Sequence, residues 1–242
     1  MEYRKAYIID NKEICKDIYK LSIKGDFKGL PGQFYMIRSW DKEPLLSRPI
    51  SIYSIEDNKL EFLYGVVGQG TKLLSELKKE DSIKLLGPLG NGFPVKGIKG
   101  KIALVSGGIG IAPFYETVKN LKGCQVDLYA GFKEKSYSID EFKKYTNNIY
   151  ITTETGEQGQ KGYITESLEV NEYDMVLCCG PEVMMKKVIK MCKQEDIPVY
   201  VSMEKHMACG VGACLGCTCK TKNGNKRTCK EGPVFLGDEL DE

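Results

Sequence analysis

The sequence predicts a β-rich N-terminal domain, a parallel α/β domain and a cysteine-rich C-terminal segment, which we place at residues 1–98, 99–203 and 204–242. Three observations predict this organisation. Short β-type runs fill about the first hundred residues, strand and helix patterns alternate after them, and five of the ten cysteines lie between Cys209 and Cys229. A chain of 242 residues has the length of one large domain or two modest ones.

The first domain is predicted from runs such as "KAYIIDN", "GQFYMIRSW" and "KLEFLYGVVG", which Gly, Pro, Asp and Asn separate. Several short strands at this spacing are typical of an antiparallel barrel or a sandwich. One helix is expected to interrupt them at "GTKLLSELKKE", because Leu73, Leu74 and Leu77 share a helical face.

The second domain begins with "KIALVSG", a nearly all-apolar strand of the kind that helices cover on both faces. Strands and helices then alternate as far as "PVYVSME", with helices expected at "SIDEFKKY" and "YITESLEV" among others. This alternation predicts a doubly wound parallel sheet. Such sheets bind ligands at the carboxyl ends of their strands, so the turns after Val105, Glu154 and Cys178 are candidate ligand sites.

The C-terminal segment has no amphipathic period and cannot bury enough apolar surface to fold alone. Cys209, Cys214 and Cys217 follow C-x4-C-x2-C spacing, and Cys229 comes twelve positions later. This is the plant-type [2Fe–2S] pattern. Intervening glycines let the backbone turn closely around such a cluster.

Zinc is the alternative metal, because Cys214 and Cys217 have the spacing of one zinc knuckle. A second matching pair is absent from the sequence, and the single histidine, His206, lies outside the cluster. We set Cys219 aside because Cys217 already completes the two-residue interval.

Two glycine-rich turns are candidate nucleotide sites. "SGGIGIAP" reads G-x-G-x-x-P from Gly108 to Pro113, between a strand and a helix, where backbone N–H groups suit a pyrophosphate. A tight βα turn with proline in the first helical turn is the structural alternative. The second turn, Cys179-Gly180-Pro181, follows a later strand and is a candidate floor for a nicotinamide ring.

The β-rich half contains two weaker candidates. Arg48 and Ser51 lie three apart in "SRPISI", and an arginine at such a place can pair with phosphate. Gly70 and Thr71 begin the predicted helix and offer N–H groups and a hydroxyl. A surface arginine and a simple helix cap explain the same residues without a ligand.

Charge and hydropathy exclude several classes of protein. With 35 basic and 33 acidic residues the net charge is +2, which argues against a nucleic-acid binder. The chain shows no apolar run of about 18 residues and no secretory h-region, so we expect a cytoplasmic protein without membrane spans. In that compartment ten cysteines are not expected to form a disulfide framework.

Together the motifs resemble the ferredoxin reductase-type flavoprotein superfamily, in which a flavin-binding β-barrel precedes a nicotinamide-binding domain. By this resemblance the flavin residues are Arg48, Pro49, Ile50, Ser51, Leu63, Tyr64, Gly65, Gly70 and Thr71. The nicotinamide residues are Gly107, Gly108, Gly110, Pro113, Cys179, Gly180 and Pro181. The resemblance further implies that Arg48 holds the flavin phosphates and that Ser51 approaches the flavin.

The tail "EKHMACGVGACLGCTC" and the later "CKEGPVF" resemble the family of electron-transfer subunits of NAD-linked dihydroorotate dehydrogenases. The resemblance implies FAD as the flavin and a [2Fe–2S] cluster on Cys209, Cys214, Cys217 and Cys229. It implies a catalytic subunit that oxidises dihydroorotate on its own FMN in pyrimidine biosynthesis, within a heterotetramer of two copies of each chain. Electrons would pass through the cluster and FAD to NAD⁺ without an acid–base residue in this chain, because the cofactors carry the chemistry.

Two other functions remain open on the sequence. Reductase subunits of hydrogenase, sulfide dehydrogenase or transhydrogenase complexes would share FAD, [2Fe–2S] and a nicotinamide. A zinc-stabilised interaction module would have no enzymatic role. For the nicotinamide, Glu154 after a parallel strand favours the ribose hydroxyl of NAD over the 2′-phosphate of NADP, although Lys133 and Lys135 weaken that inference.

Overall fold

A closed six-stranded antiparallel barrel forms the N-terminal domain of the computed structural model, which describes residues 1–240. Its strands are β1 (Glu2–Cys15), β2 (Ile18–Lys24), β3 (Phe34–Arg38), β4 (Arg48–Glu56), β5 (Lys59–Gly65) and β6 (Ser82–Leu89), in the order β1-β2-β5-β4-β3-β6. The barrel is therefore the correct one of the two predicted architectures.

The barrel closes around an apolar interior because its strands alternate inward and outward side chains. In β6 every second residue is buried, so Ile83 and Leu85 point into the core with Leu21 and Phe62. Helix α1 (Gln69–Ser75) covers one end of this core with Leu74. The helix is shorter than predicted, since the chain turns away after Ser75.

The second domain contains the parallel strands β7 (Gly100–Gly107), β8 (Cys124–Phe132), β9 (Asn148–Thr153), β10 (Gln160–Lys161), β11 (Met175–Cys179) and β12 (Val199–Ser202). With β15 (Val234–Leu236) from the C-terminal segment they form a seven-stranded sheet in the order β10-β9-β8-β7-β11-β12-β15. The helices are α2 (Ala112–Asn120), α3 (Ile139–Phe142) and α4 (Glu182–Gln194). Ile102 and Leu104 of β7 pack in one core with α2, while Ala103 and Val105 pack in another with α4. The sheet is thus covered on both faces, which confirms the doubly wound prediction.

The prediction of a helix at "YITESLEV" is wrong. The chain there forms two short 3₁₀ turns, Ile164–Glu166 and Val170–Glu172. Ile164, Leu168 and Val170 are all buried in one core. Residues six apart lie on different faces of an α-helix, so a helix could not bury all three against the same sheet.

The C-terminal segment is organised by both domains. Its strands β13 (Thr218–Thr221) and β14 (Gly224–Arg227) form a hairpin, and β15 (Val234–Leu236) joins the large sheet antiparallel to β12. A separate apolar cluster joins segment residues to β3 and β6 and contains Phe34, Met36, Leu89, Met207, Cys217 and Cys229. The segment therefore gains from its neighbours the core that its own sequence lacks.

Contacts between α2 and β4 hold the barrel against the sheet. Tyr115 stacks on Tyr53 with ring centroids 4.8 Å apart. The backbone N–H of Ile55 donates to Glu116 Oε2 at 2.9 Å, and Lys119 Nζ donates to Ser54 Oγ at 2.9 Å. These contacts fix the position of the barrel relative to the sheet, and with it the shape of the space between the two domains.

Within residues 1–240, none of the helices combines the length and apolarity needed to cross a bilayer.

Candidate functional site

A central cavity of about 620 Å³ lies where the barrel, the α/β sheet and the C-terminal segment meet. Among the residues lining it are nine that the sequence predicted: Arg48, Pro49, Ile50, Ser51, Leu63, Tyr64, Gly65, Thr71 and Pro113. The remaining wall includes Val67, whose side chain is 91% exposed. An apolar side chain left so open on a concave wall fits a site that a cofactor covers.

Arg48 brings a positive charge to the barrel side of the cavity. Its guanidinium lies 5.5 Å from the ring centre of Trp40 and makes no ion pair within residues 1–240. A Cβ atom at Gly70 would lie 2.5 Å from Arg48 Nε, so only glycine leaves room for this side chain beside α1. Arg48 Nη1 donates to Leu46 O, and the other guanidinium N–H groups on the cavity wall suit a phosphate group.

Thr71 shapes the turn that leads into α1. Its Oγ1 accepts hydrogen bonds from the backbone N–H of Val67 at 2.9 Å and of Gly68 at 3.2 Å, and donates to Gly68 O at 3.0 Å. The hydroxyl proton is thus already used within the turn. The structure places Thr71 on the cavity wall while giving its hydroxyl a local structural role.

The two predicted nucleotide turns meet at the carboxyl edge of neighbouring strands, since β7 and β11 pair in parallel. A Cβ at Gly110 would overlap the carbonyl oxygen of Cys179, and a Cβ at Gly180 would lie 2.8 Å from the backbone N of Gly107. Gly108 and Gly180 also have positive φ angles of 54° and 152°. The glycines therefore let two backbone turns touch and form one continuous ledge.

Sequence reasoning missed the segment that forms the opposite wall of the cavity. It begins at the last residue of β12 and contains Ser202, Met203, Glu204, Lys205, His206 and Met207. The same rule that identified the other turns, a position just beyond a parallel strand, could have identified this one.

Glu204 is the carboxylate of this wall, and it is near the Cys179 thiol. Solvent reaches Glu204 through the open cavity, yet the protein around it desolvates the carboxyl and raises its pKa. Burial raises the pKa of the Cys179 thiol, and the charge of Glu204 raises it further. Both groups lie where the nucleotide ledge faces the C-terminal segment.

The four predicted cluster cysteines lie in residues 209–229, here called the cysteine loop, with Cys229 following the β13–β14 hairpin. Backbone N–H groups of this loop donate to three of the four sulfurs. The N–H groups of Val211 and Cys214 donate to Cys209 Sγ, each at 3.4 Å. The N–H of Gly212 donates to Cys229 Sγ at 3.1 Å, and the N–H of Cys229 donates to Cys217 Sγ at 3.4 Å. Such bonds stabilise thiolate sulfur, the form that binds iron.

The thiols differ in burial and in pKa. Burial opposes ionisation of Cys209, but the N–H donors of Val211 and Cys214 outweigh it and lower its pKa to about 6. Burial and the neighbouring Cys217 raise the pKa of Cys229 to about 12. Cys214 is exposed to solvent.

The donor set fits a two-iron cluster, which takes four thiolate ligands. Backbone N–H groups donate to the sulfurs of Cys209, Cys217 and Cys229, and such hydrogen bonds favour the thiolate form that binds iron. Cys219 points elsewhere, because it packs in the core beside α4 with Val201 and Phe235.

Arg227 joins the two arms of the cysteine loop. Its Nη1 donates to Gly212 O at 2.9 Å, and its Nε donates to Glu231 Oε2 at 3.0 Å. The hydrogen bond from Arg227 lowers the pKa of Glu231 to about 2. Arg227 thus ties the Gly212 backbone to the Glu231 carboxylate, and we call this pair of contacts the Arg227 clamp.

Phe34 and Met207 connect the central cavity to the cysteine loop. Both residues line the cavity, and both pack in the apolar cluster that contains Cys217 and Cys229. Gly210, with a φ of 71°, lets this loop approach the barrel, since a Cβ there would lie 2.6 Å from Met36 Cγ. Phe34 and Met207 therefore pack between the cavity and the apolar cluster that holds Cys217 and Cys229.

Two family models match the chain. The model described as the iron–sulfur cluster binding domain of dihydroorotate dehydrogenase B matches residues 204–241. The model described as the oxidoreductase NAD-binding domain matches residues 104–190.

Curated relatives match over nearly the whole length. The dihydroorotate dehydrogenase B (NAD⁺) electron transfer subunit of Clostridium acetobutylicum is 59% identical over 239 residues, covering 99% of this chain and 97% of the relative. The subunit of the same name from Clostridium perfringens is 50% identical, covering 100% of this chain and 99% of the relative.

Solved structures share the architecture. An NADH-dependent reduced ferredoxin-NADP oxidoreductase superposes with a TM-score of 0.88 at 29% identity, covering 98% of this chain and 89% of its own. A ferredoxin NADP⁺ reductase from Neisseria gonorrhoeae, with bound FAD and NADP, has a TM-score of 0.65 at 16% identity, covering 81% of this chain and 92% of its own. The structure from Neisseria gonorrhoeae, at 16% identity, shows only that the fold is shared.

Proposed function

Because the chain belongs to the family of dihydroorotate dehydrogenase B (NAD⁺) electron transfer subunits, we propose that it connects NAD with the FMN of a dihydroorotate-oxidising catalytic subunit. The chain is an oxidoreductase subunit of pyrimidine biosynthesis, with FAD, a [2Fe–2S] cluster and NAD as its cofactors. The observation that carries this function is the shared layer of Phe34 and Met207, which places the cavity directly beside the cysteine loop.

We propose that FAD binds in the central cavity against the barrel. Arg48 would pair with the FAD phosphates, and Gly70 leaves the space that the arginine needs. Pro49, Ile50 and Ser51 of β4 would line the flavin. Leu63, Tyr64 and Gly65 of β5 and the turn around Thr71 would complete the barrel side of the site.

We propose that the nicotinamide nucleotide binds on the ledge of the two glycine turns. Gly107, Gly108 and Gly110 would bring backbone close to its phosphates, with Pro113 beginning α2. Cys179, Gly180 and Pro181 would support the ring.

We propose that Glu154 binds the ribose of this nucleotide. This residue follows β9 at the same sheet edge, and its N–H donates to Phe132 O at 3.3 Å. A carboxylate there suits a ribose hydroxyl.

We propose Cys209, Cys214, Cys217 and Cys229 as the cluster ligands. Their backbone N–H donors and the Arg227 clamp hold the loop in shape around them. Bound FAD would supply hydride exchange with nicotinamide and single-electron exchange with the cluster, and the side chains of this chain would position the cofactors.

The exposed side of the cysteine loop is the proposed contact with the catalytic subunit. Cys214 is exposed there, flanked by Val211 and Leu215, which are 37% and 63% exposed. Apolar side chains beside a solvent-facing ligand suit a protein interface. We propose a heterotetramer of two copies of each chain, and domain boundaries after residues 98 and 203.

The test of this function is the reduction of NAD⁺ by dihydroorotate. The purified chain with FAD and cluster should form no NADH from dihydroorotate alone, and should form it when an FMN-containing catalytic subunit is added. NADH formation without that subunit, or no formation with it, would contradict the proposal. Size-exclusion chromatography with light scattering of the mixture measures the stoichiometry.

Replacing Gly110 by alanine should damage the nicotinamide site selectively. The new Cβ overlaps the Cys179 carbonyl and pushes the two turns apart, so the KM for NADH should rise about tenfold or more. Steady-state reduction of ferricyanide by NADH measures this KM.

Gly123→Ala is the matched control, because Gly123 lies in the same βαβ unit just after α2. Its φ is 78°, and a Cβ there meets nothing within 4 Å. This variant should lose some stability from the left-handed backbone, yet keep the wild-type KM. Equal KM values for the two variants would show that the contact with Cys179 does not shape the site.

A further inference from the structure

A second cavity of about 550 Å³ lies between α4 and β13. None of the roles proposed for FAD, NAD or the cluster uses it. It borders the central cavity, since Met203 and Lys205 line both. Its size lies within the range of small-molecule sites.

The floor of this second cavity is apolar. Met185 and Ile189 of α4, Cys219 of β13 and Leu240 form it, and each is nearly buried by the core behind it. Such a surface favours the face of a ring over a hydrated inorganic ion.

The rim of the second cavity is strongly basic. Among residues 1–240, five lysines line it against one acid, Glu182: Lys186, Lys187, Lys190, Lys205 and Lys220. Glu182 pairs with Lys186 and with Lys205, each at 3.4 Å. Lys187, Lys190 and Lys220 make no ion pair with any residue in 1–240.

We infer that the second cavity binds an organic polyanion whose ring packs on the apolar floor and whose phosphates meet the lysines. Three unpaired ammonium groups match a chain of phosphates, because lysine binds phosphate as a point charge. The site is a hollow with a floor rather than a flat patch, which favours a small molecule over a macromolecular partner. The chemical class is therefore a nucleoside polyphosphate.

Calorimetry on the holoprotein tests this inference. Saturating NAD⁺ keeps the nicotinamide site filled, and uridine triphosphate is the probe because it lacks the adenosine half of NAD. Uridine supplies the ring alone, and tripolyphosphate supplies the charge alone. Uridine triphosphate should bind saturably at one site and more tightly than either part, with an affinity that falls as salt rises.

The lysine variant K187E/K190E should weaken binding of uridine triphosphate about tenfold or more, because two attractive contacts become repulsive. K99E/K122E changes net charge equally on residues that do not line the cavity, and should leave the affinity unchanged. Flavin and cluster absorbance show that each variant is folded and loaded.

Three results would overturn the inference. They are no saturable heat with uridine triphosphate, an equal affinity for tripolyphosphate, or an unchanged affinity in K187E/K190E. These outcomes leave the proposed electron-transfer function untouched, since that function is read from NADH formation.

Discussion

Replacing Cys214 by serine should abolish the EPR signal of the reduced [2Fe–2S] cluster. Cys214 is the solvent-exposed member of the four, so the change removes a ligand while disturbing little packing. Electron transfer from dihydroorotate to NAD⁺ in the complex should fall about a hundredfold or more, because the relay to the flavin is broken. NADH-dependent reduction of a dye through FAD should stay within about twofold of the wild type.

Cys219→Ser is the matched control for this prediction. Cys219 lies two residues from Cys217 but is buried in the core beside α4. Its serine variant should be less stable, because a hydroxyl replaces a buried thiol, and should keep the wild-type EPR spectrum. Loss of the signal in Cys219→Ser with retention in Cys214→Ser would reverse the ligand assignment.

Replacing Arg48 by alanine should weaken the binding of FAD to the protein. A charged contact to phosphate in a sheltered cavity contributes about 1.5–3 kcal/mol, so the Kd for FAD should rise about tenfold to a hundredfold. Flavin fluorescence quenching during titration of the deflavinated protein measures this Kd. The [2Fe–2S] spectrum should persist, because the cysteine loop does not use Arg48.

Arg38→Ala separates the phosphate role of Arg48 from its packing role. Both guanidiniums lie near the ring of Trp40, at 5.9 Å for Arg38 and 5.5 Å for Arg48. Arg38 instead donates to Trp40 O and Asp41 O and does not line the cavity. Equal loss of FAD in both variants would mean that the arginines act through Trp40 alone.

Strand patterns predicted the fold well where burial and periodicity agree. The run "KIALVSG" predicted a strand covered on both faces, and β7 does place alternate residues in two cores. The run "YITESLEV" failed because its apolar residues are buried at spacings that a helix cannot satisfy. In a short segment the tertiary demand for burial overrides helix propensity.

The candidate site was predicted only in part, and the missing part has a physical explanation. The glycine turns, the Arg48 strand and the cysteine loop carry residue types that their chemistry requires at defined spacing. Glu204 and its neighbours belong to no such spacing. Their only sequence signal is a position just beyond a parallel strand, and they form a cavity wall because β12 ends facing the barrel.

Local sequence patterns are enough to indicate which residues could hold sulfur-bound iron and nucleotide phosphates. Thiolate spacing and glycine turns are local, since a few adjacent residues decide whether the backbone can adopt them. How these sites face one another depends on the folded chain as a whole. Phe34 comes from the barrel and Met207 from the C-terminal segment, and their shared layer beside Cys217 and Cys229 depends on packing between distant parts of the chain.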